Sequence, residues 1–129
     1  MAKAQNLGIP CIVFSKDDFY VNGMVLNYLN EYKTDFIVLA GFLWLIPSYL
    51  IEAYPGRMIN IHPALLPKYG GKGMYGMHVH EAVIANKDEE SGITIHFVNE
   101  EYDAGNIIFQ ARCKVGPDDN PETLARKVH

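Results

Sequence analysis

The chain alternates short apolar runs with segments whose apolar residues recur at helical spacing. Apolar runs at residues 10–14 and 35–41 and the short segment 58–61 predict strands, and the uninterrupted run at 35–41 is typical of a strand that is buried on both faces of a parallel sheet. The segments at residues 17–32 and 47–53 place their apolar residues on one helical face and predict helices. The first half of the chain is therefore predicted to repeat a strand and a helix.

The second half ends in two runs that alternate apolar and polar residues. Residues 93–98 and 107–115 have this period of two, and the segment between them is polar and contains glycine. This pattern predicts an antiparallel pair at the edge of a sheet. Helices are predicted before the pair, over residues 78–86, and after it, where Asn120 caps a helix that begins at Pro121.

The predicted order of elements is β-α-β-α-β-α-β-β-α. This order indicates an α/β domain with a mostly parallel sheet and an antiparallel edge pair. The chain opens in the last turns of a helix that Gly8 ends, and it stops at His129, about two turns into the last helix. Because isolated helices this short are unstable in water, we expect residues 1–129 to be a single domain that is a fragment of a longer one.

Composition narrows the classes of partner. The 129 residues are 49% apolar and 20% charged, which is typical of one globular domain, and the net charge is −4. An acidic chain without a basic run is a poor candidate for binding nucleic acid or an anionic membrane, and no apolar run approaches the ~18 residues of a membrane helix. Cys11 and Cys113 lie in strand-like runs, so we expect buried, reduced thiols and a cytoplasmic protein.

Candidate chemistry follows the third predicted strand. In open α/β sheets, ligands bind beyond the carboxyl ends of the strands. Asn60 and His62 are two residues apart, so they point to the same side of an extended segment, and Pro63 favours that extended conformation. An amide can donate to a developing oxyanion and an imidazole can move a proton near neutral pH. A surface asparagine and a structurally bonded histidine remain the alternative interpretation.

Asp103 lies beside small residues on the loop between the two alternating runs. A carboxylate near an imidazole favours the protonated ring and fixes its tautomer. Spacing alone leaves an even choice between that role and a solvated acidic turn. For Glu100 and Glu101 the solvated turn is the favoured interpretation.

Four segments together resemble the folate-dependent phosphoribosylglycinamide formyltransferase family. They are Leu-Ala-Gly-Phe-Leu at 39–43, Asn-Ile-His-Pro-Ala-Leu-Leu-Pro-Lys at 60–68, Ser-Gly-Ile-Thr-Ile-His-Phe-Val-Asn at 91–99 and Asp-Ala-Gly at 103–105. The resemblance covers nearly the whole chain in order. It implies a Rossmann-like formyltransferase fold and transfer of a formyl group from 10-formyltetrahydrofolate to the amine of glycinamide ribonucleotide, in de novo purine biosynthesis.

The resemblance also implies the site residues. Asn60, His62 and Asp103 match the catalytic trio, in which Asn60 and a protonated His62 would stabilise the oxyanion, while Asp103 keeps His62 protonated and relays a proton through water. No metal is implied. The residues matched to folate binding are Leu43, Trp44, Leu45, Ile46, Asn60, Asn99, Glu100, Glu101, Tyr102 and Asp103.

The chain also departs from the family pattern. The first strand of the family, its phosphate-binding loop and its acidic C-terminal segment have no match within residues 1–129. We therefore expect this chain by itself to show little transferase activity and to assemble into a homo-oligomer. The loop at residues 71–77 is longer than in many relatives, and the sequence assigns it no role.

Several alternatives remain open. They are a formyltetrahydrofolate hydrolase, a methionyl-tRNA formyltransferase and a non-catalytic folate- or nucleotide-binding module. The acidic charge argues against the tRNA enzyme, and the absence of a Gly-x-Gly-x-x-Gly turn argues against a nicotinamide-binding domain. His78 and His80 stand about 200° apart on a predicted helix, which disfavours a shared metal ion, and His96 is predicted to be a half-buried strand residue.

Overall fold

The computed structural model describes residues 2–71, 73–99 and 105–129. The chain divides into two compact units, Met1–Thr34 and Asp35–His129. The first unit contains three helices, α1 (Ala2–Asn6), α2 (Lys16–Tyr20) and α3 (Met24–Glu31). The helix predicted over residues 17–32 is thus two helices, because Gly23 between them has a left-handed φ of 65° that interrupts helical geometry.

The apolar run at residues 10–14 is not a strand, and this prediction is wrong. Val13 is 67% exposed and Cys11 is exposed, so the expected burial of that thiol is also wrong. A strand needs a neighbour with which to form ladder hydrogen bonds, and the described part of the first unit contains no strand. Cys113, by contrast, is partly buried and lies in a strand.

The second unit follows the predicted order of elements. A helix or strand occurs at each predicted segment from residue 35 onward, with bounds that differ by three residues or fewer. The elements are β1 (Ile37–Ala40), α4 (Ser48–Ala53), β2 (Met58–His62), α5 (Met77–Ala85), β3 (Glu90–Phe97), β4 (Ile107–Lys114) and α6 (Pro121–Val128).

The four strands form one sheet in the order β1-β2-β3-β4. β1 and β2 are parallel, with Leu39 opposite Asn60. β3 is antiparallel to β2, with His96 opposite Asn60, and β4 is antiparallel to β3. The α/β class and the antiparallel edge pair are confirmed. Among the described strands, β1 and β2 form the parallel pair.

A buried hydroxyl fixes the segment that follows β2. Thr94 of β3 is fully buried and donates to the carbonyl oxygen of Ala64 at 2.7 Å. The same hydroxyl accepts from the backbone N–H of Leu66 and from the amide of Gln110, each at 3.0 Å. The loop that carries the candidate site is therefore bonded to the sheet beside it.

Part of the core of the unit is formed by α5 and α6. Val79 and Val83 of α5 and Leu124 of α6 are almost completely buried. At the start of α6, Asn120 caps the helix as predicted and forms a reciprocal capping box with Thr123. Across the described residues, no helix is both long enough and apolar enough to cross a membrane.

We predict that Thr94→Val destabilises the protein by roughly 1–3 kcal/mol, because it preserves shape but leaves the Leu66 N–H and the Ala64 carbonyl without this partner in a buried place. Chemical denaturation at constant m-value measures the change. Thr34→Val, at a partly exposed position, is the matched control. Equal midpoints for the two variants would show that the hydroxyl link contributes nothing to stability.

Asp119, just before α6, predicts an acid-dependent contribution to stability. A hydrogen bond from Lys127, then those from the Gly116 N–H and Thr123, lower the pKa of its carboxyl to about 2. Because the folded-state pKa lies below the ordinary 3.8, the contribution is complete above pH 3.8 and is lost as the pH falls towards 2. Asp119→Asn should lower the denaturation midpoint at pH 7, and its difference from the wild type should shrink below pH 3.8. A pH-independent difference would contradict this origin.

Candidate active site

A cavity of about 700 Å³ opens at the carboxyl ends of β1 and β2. Its walls come from the segment after β1, the end of β2, the loop before α5, the end of β3 and the C-terminal end of α6. Most of the lining side chains are apolar, with a few amides and imidazoles among them. This is the end of the sheet at which the sequence predicts a ligand.

Asn60 and His62 both line this cavity. They alternate along β2, so their side chains emerge on the same face of the strand, as their spacing predicts. His62 is only 3% exposed. The structure thus places an amide and a buried imidazole side by side at the end of a central strand.

Asn60 is held by a residue that sequence reasoning did not assign to the site. Its side-chain amide donates to Nε2 of His96 at 3.2 Å, and Nδ1 of that ring donates to the carbonyl oxygen of Phe97 at 2.8 Å. His96 is 2% exposed and lines the cavity, so its predicted half-buried state is wrong. Its role depends on lying opposite Asn60 in the β2–β3 register, which one sequence does not reveal.

The imidazole of His62 has a backbone partner on the loop that follows β2. Its Nε2 lies 2.7 Å from the carbonyl oxygen of Tyr69. Because a carbonyl oxygen only accepts, Nε2 carries the proton of this bond. The tautomer of the neutral ring is therefore defined by the fold.

A third imidazole, that of His80 on α5, also lines the cavity. Burial, and then the nearby charges of His129 and His62, lower its pKa below the ordinary 6.5. Its Nδ1 has no hydrogen-bond partner among the described residues, and the ring of His129 lies 6.4 Å away. His80 is thus a neutral polar group that faces an apolar cavity at neutral pH.

The exposed His78 on the same helix points elsewhere. Its ring contacts Tyr75, and it lies 4.0 Å from Glu81, whereas the ring of His80 is buried. The two imidazoles therefore face different surroundings, as the helical spacing predicts. Within the described ranges, no group of three or more histidine, cysteine, aspartate or glutamate side chains is placed to hold a metal ion.

The structure describes only part of the two segments that are matched to folate binding. Leu43, Trp44, Leu45 and Ile46 line the cavity, and Asn99 lies at its edge after β3. Leu43 is 49% exposed and Ile46 is buried. The segment therefore presents an apolar side chain at its surface and packs another into the interior. Four predicted residues of the other segment lie outside the described residues: Glu100, Glu101, Tyr102 and Asp103.

The loop before α5 forms another wall. Met74 and Tyr75 line the cavity, together with Gly71, Gly73 and Gly76. The three glycines have positive φ values of 92°, 85° and 55°, a region that side chains with a Cβ rarely adopt. The loop to which the sequence assigns no role is therefore part of the site.

Comparisons with known proteins agree with this geometry. A family model described as formyl transferase matches residues 1–129. The chloroplastic phosphoribosylglycinamide formyltransferase of Arabidopsis thaliana is 48% identical over 130 residues, which cover 97% of this chain and 44% of that protein.

Two solved structures show the same fold. The phosphoribosylglycinamide formyltransferase from Streptococcus pneumoniae TIGR4 superposes with a TM-score of 0.87 at 30% identity, over 99% of this chain and 71% of that one. A formyltetrahydrofolate deformylase from Pseudomonas syringae pv. tomato superposes with a TM-score of 0.80 at 28% identity, over 98% of this chain and 43% of that one.

The chain spans less than half the length of the plant relatives, 44% of the Arabidopsis protein and 41% of the Vigna unguiculata protein. The similarity nevertheless extends over the cavity and every strand of the described sheet. Because the family model matches the whole sequence, the chain belongs to the formyl transferase family.

Proposed function

We propose that this chain provides the catalytic and folate-binding part of an enzyme that transfers a formyl group from 10-formyltetrahydrofolate to the amine of glycinamide ribonucleotide, a step of de novo purine biosynthesis. The observation that carries this proposal is the pairing of Asn60 with a buried His62 at the end of β2, facing an apolar cavity. The names of its relatives support the same reaction.

The proposed chemistry is addition followed by elimination. The substrate amine attacks the formyl carbon, a C–N bond forms and the carbonyl oxygen becomes an oxyanion. Asn60 and a protonated His62 then donate hydrogen bonds to that oxygen, and the surrounding apolar walls strengthen these contacts. The bond from the formyl carbon to the folate nitrogen breaks, and that nitrogen takes up the proton that the amine loses.

Asp103 completes the proposed catalytic trio. Its carboxylate favours the protonated form of His62 and relays the proton through water. His96 acts through Asn60. Its ring accepts a hydrogen bond from the Asn60 amide, and this bond fixes the orientation of that amide, with the second amide hydrogen pointing away from the His96 ring. The folate ring would lie against Leu43–Ile46 and the segment from Asn99 to Asp103, with no metal ion taking part.

A deformylase is the second candidate, because one such enzyme has a similar structure. The two reactions share the oxyanion and differ in the nucleophile, which is water in one and an amine in the other. Cytoplasmic location and assembly into a homo-oligomer stay predictions, as does the assignment of residues 1–129 to a single domain.

We predict that His62→Ala, in a full-length version that also contains the family's phosphate-binding loop, lowers kcat by about 10²–10⁴-fold, the usual contribution of a positioned proton-transferring group, while the Kd of the folate changes less than threefold. Steady-state transfer assays and fluorescence titration with a non-reactive folate analogue measure the two quantities. His78→Ala, which removes an exposed histidine from α5, is the matched control. A His62→Ala protein with wild-type kcat would exclude this residue from the chemistry.

The nucleophile is tested by product analysis. With 10-formyltetrahydrofolate and glycinamide ribonucleotide, the same full-length version should yield the formylated amide and tetrahydrofolate in equal amounts. Omission of the amine should reduce formate release to the rate in buffer alone. Formate release that continues at the same rate without the amine would replace the transferase by a deformylase.

A further inference from the structure

Tyr69 lies at a position where the backbone is strained. Its φ is +56°, in the left-handed region that residues with a Cβ seldom occupy. The left-handed conformation falls on Tyr69 even though the next residue, Gly70, is a glycine. Such conformations persist where the surrounding structure holds them, and they concentrate at functional sites. The carbonyl of this residue is the one that accepts from Nε2 of His62.

The side chain of Tyr69 is anchored at its far end. Its hydroxyl donates to Oδ2 of Asp88 at 2.6 Å and accepts from the side-chain amide of Asn86 at 2.9 Å. Burial, and then the bond to Asp88, raise the pKa of the phenol, so it remains a donor at neutral pH. Both partners lie in the turn that follows α5. They therefore anchor the residue whose backbone carbonyl contacts His62.

That turn is itself fixed. Asn86 is the C-cap of α5, and the Asp88 N–H bonds to the carbonyl oxygen of Val83, a residue that is 1% exposed. The chain of contacts therefore runs from the core under α5, through Asp88 and the phenol of Tyr69, to the Tyr69 carbonyl and the His62 ring. Hydrogen bonds join the different residues of this chain, and the covalent structure of Tyr69 joins its phenol to its carbonyl.

We propose that Tyr69 is a positioning residue for His62, with Asp88 and Asn86 as its anchor. The anchor holds Tyr69 in its left-handed conformation, and the carbonyl so placed keeps the proton of the His62 ring on Nε2. Nδ1 is then the ring nitrogen that gains and loses the second proton during the reaction. This inference rests on the proposed function only in taking His62 as the catalytic imidazole.

The first experiment removes the anchor without changing the backbone groups. Tyr69→Phe keeps the ring and the carbonyl but lacks the hydroxyl, and Asp88→Ala removes the acceptor. Both variants should lower kcat about tenfold and change the KM for the folate less than twofold. Asp88→Asn keeps an oxygen that accepts from the phenol, so it should restore kcat to within threefold of the wild type.

The second experiment observes the ring directly and does not depend on activity. Two-dimensional ¹⁵N–¹H spectra of the ring nitrogens report the tautomer of neutral His62, and the His62→Gln protein identifies its signals. The wild type should show protonated Nε2. Tyr69→Phe and Asp88→Ala should show a mixture of tautomers, while Asp88→Asn and the control Tyr32→Phe, at an exposed tyrosine, should match the wild type.

The outcomes separate the two proposals. A fixed Nε2–H tautomer in both Tyr69→Phe and Asp88→Ala would overturn the positioning role, even if kcat falls, since the loss would then be structural only. A mixed tautomer in those variants supports it. A fixed Nε2–H tautomer in the wild type and a mixed tautomer in those two variants, together with no formyl transfer by the wild type, would support the positioning contact and reject the proposed function.

Discussion

The antiparallel pairing of β2 with β3 is the constraint on which the site depends. This register sets Asn60 opposite His96 and His62 opposite Thr94. The first pair orients an amide toward the cavity, and the hydroxyl of Thr94 bonds the loop that follows His62 to the sheet. A shift of one residue would turn Asn60 and His62 to the opposite face, so the chemistry of the site and the packing of the core are fixed by the same hydrogen bonds.

Several imidazole rings line a cavity whose other side chains are mostly apolar. A buried polar group is unfavourable unless it has a hydrogen-bond partner. His62 and His96 each have a backbone carbonyl oxygen as a partner, at 2.7 and 2.8 Å. Nδ1 of His80 has no hydrogen-bond partner in the part of the chain that the structure describes, and burial lowers the pKa of that ring, so it is neutral at neutral pH. The neutral ring of His80 therefore adds no positive charge beside His62.

The sequence predicted what depends on local pattern. Period-two alternation located β3 and β4, and the spacing of Asn60 and His62 placed both on one face of β2. It could not predict His96 or Tyr69, because their roles come from a strand register and from a contact with Asp88, 19 residues away along the chain. The strand expected at residues 10–14 failed for the same reason, since an apolar run indicates burial only where a neighbouring strand exists to pair with it.

The walls of the cavity are shaped in different ways. The wall that carries His62 is fixed by the buried Thr94 bonds and by the anchored Tyr69, whereas another wall contains Gly71, Gly73 and Gly76, all with positive φ. Groups that stabilise a transition state must be placed before the substrate arrives, because reorganisation during the reaction would consume their benefit. A wall that only contacts the substrate has no such requirement. His62, to which the chemistry is assigned, accordingly lies on the wall that the Thr94 bonds fix, whereas the glycine-bearing wall supplies Met74 and Tyr75.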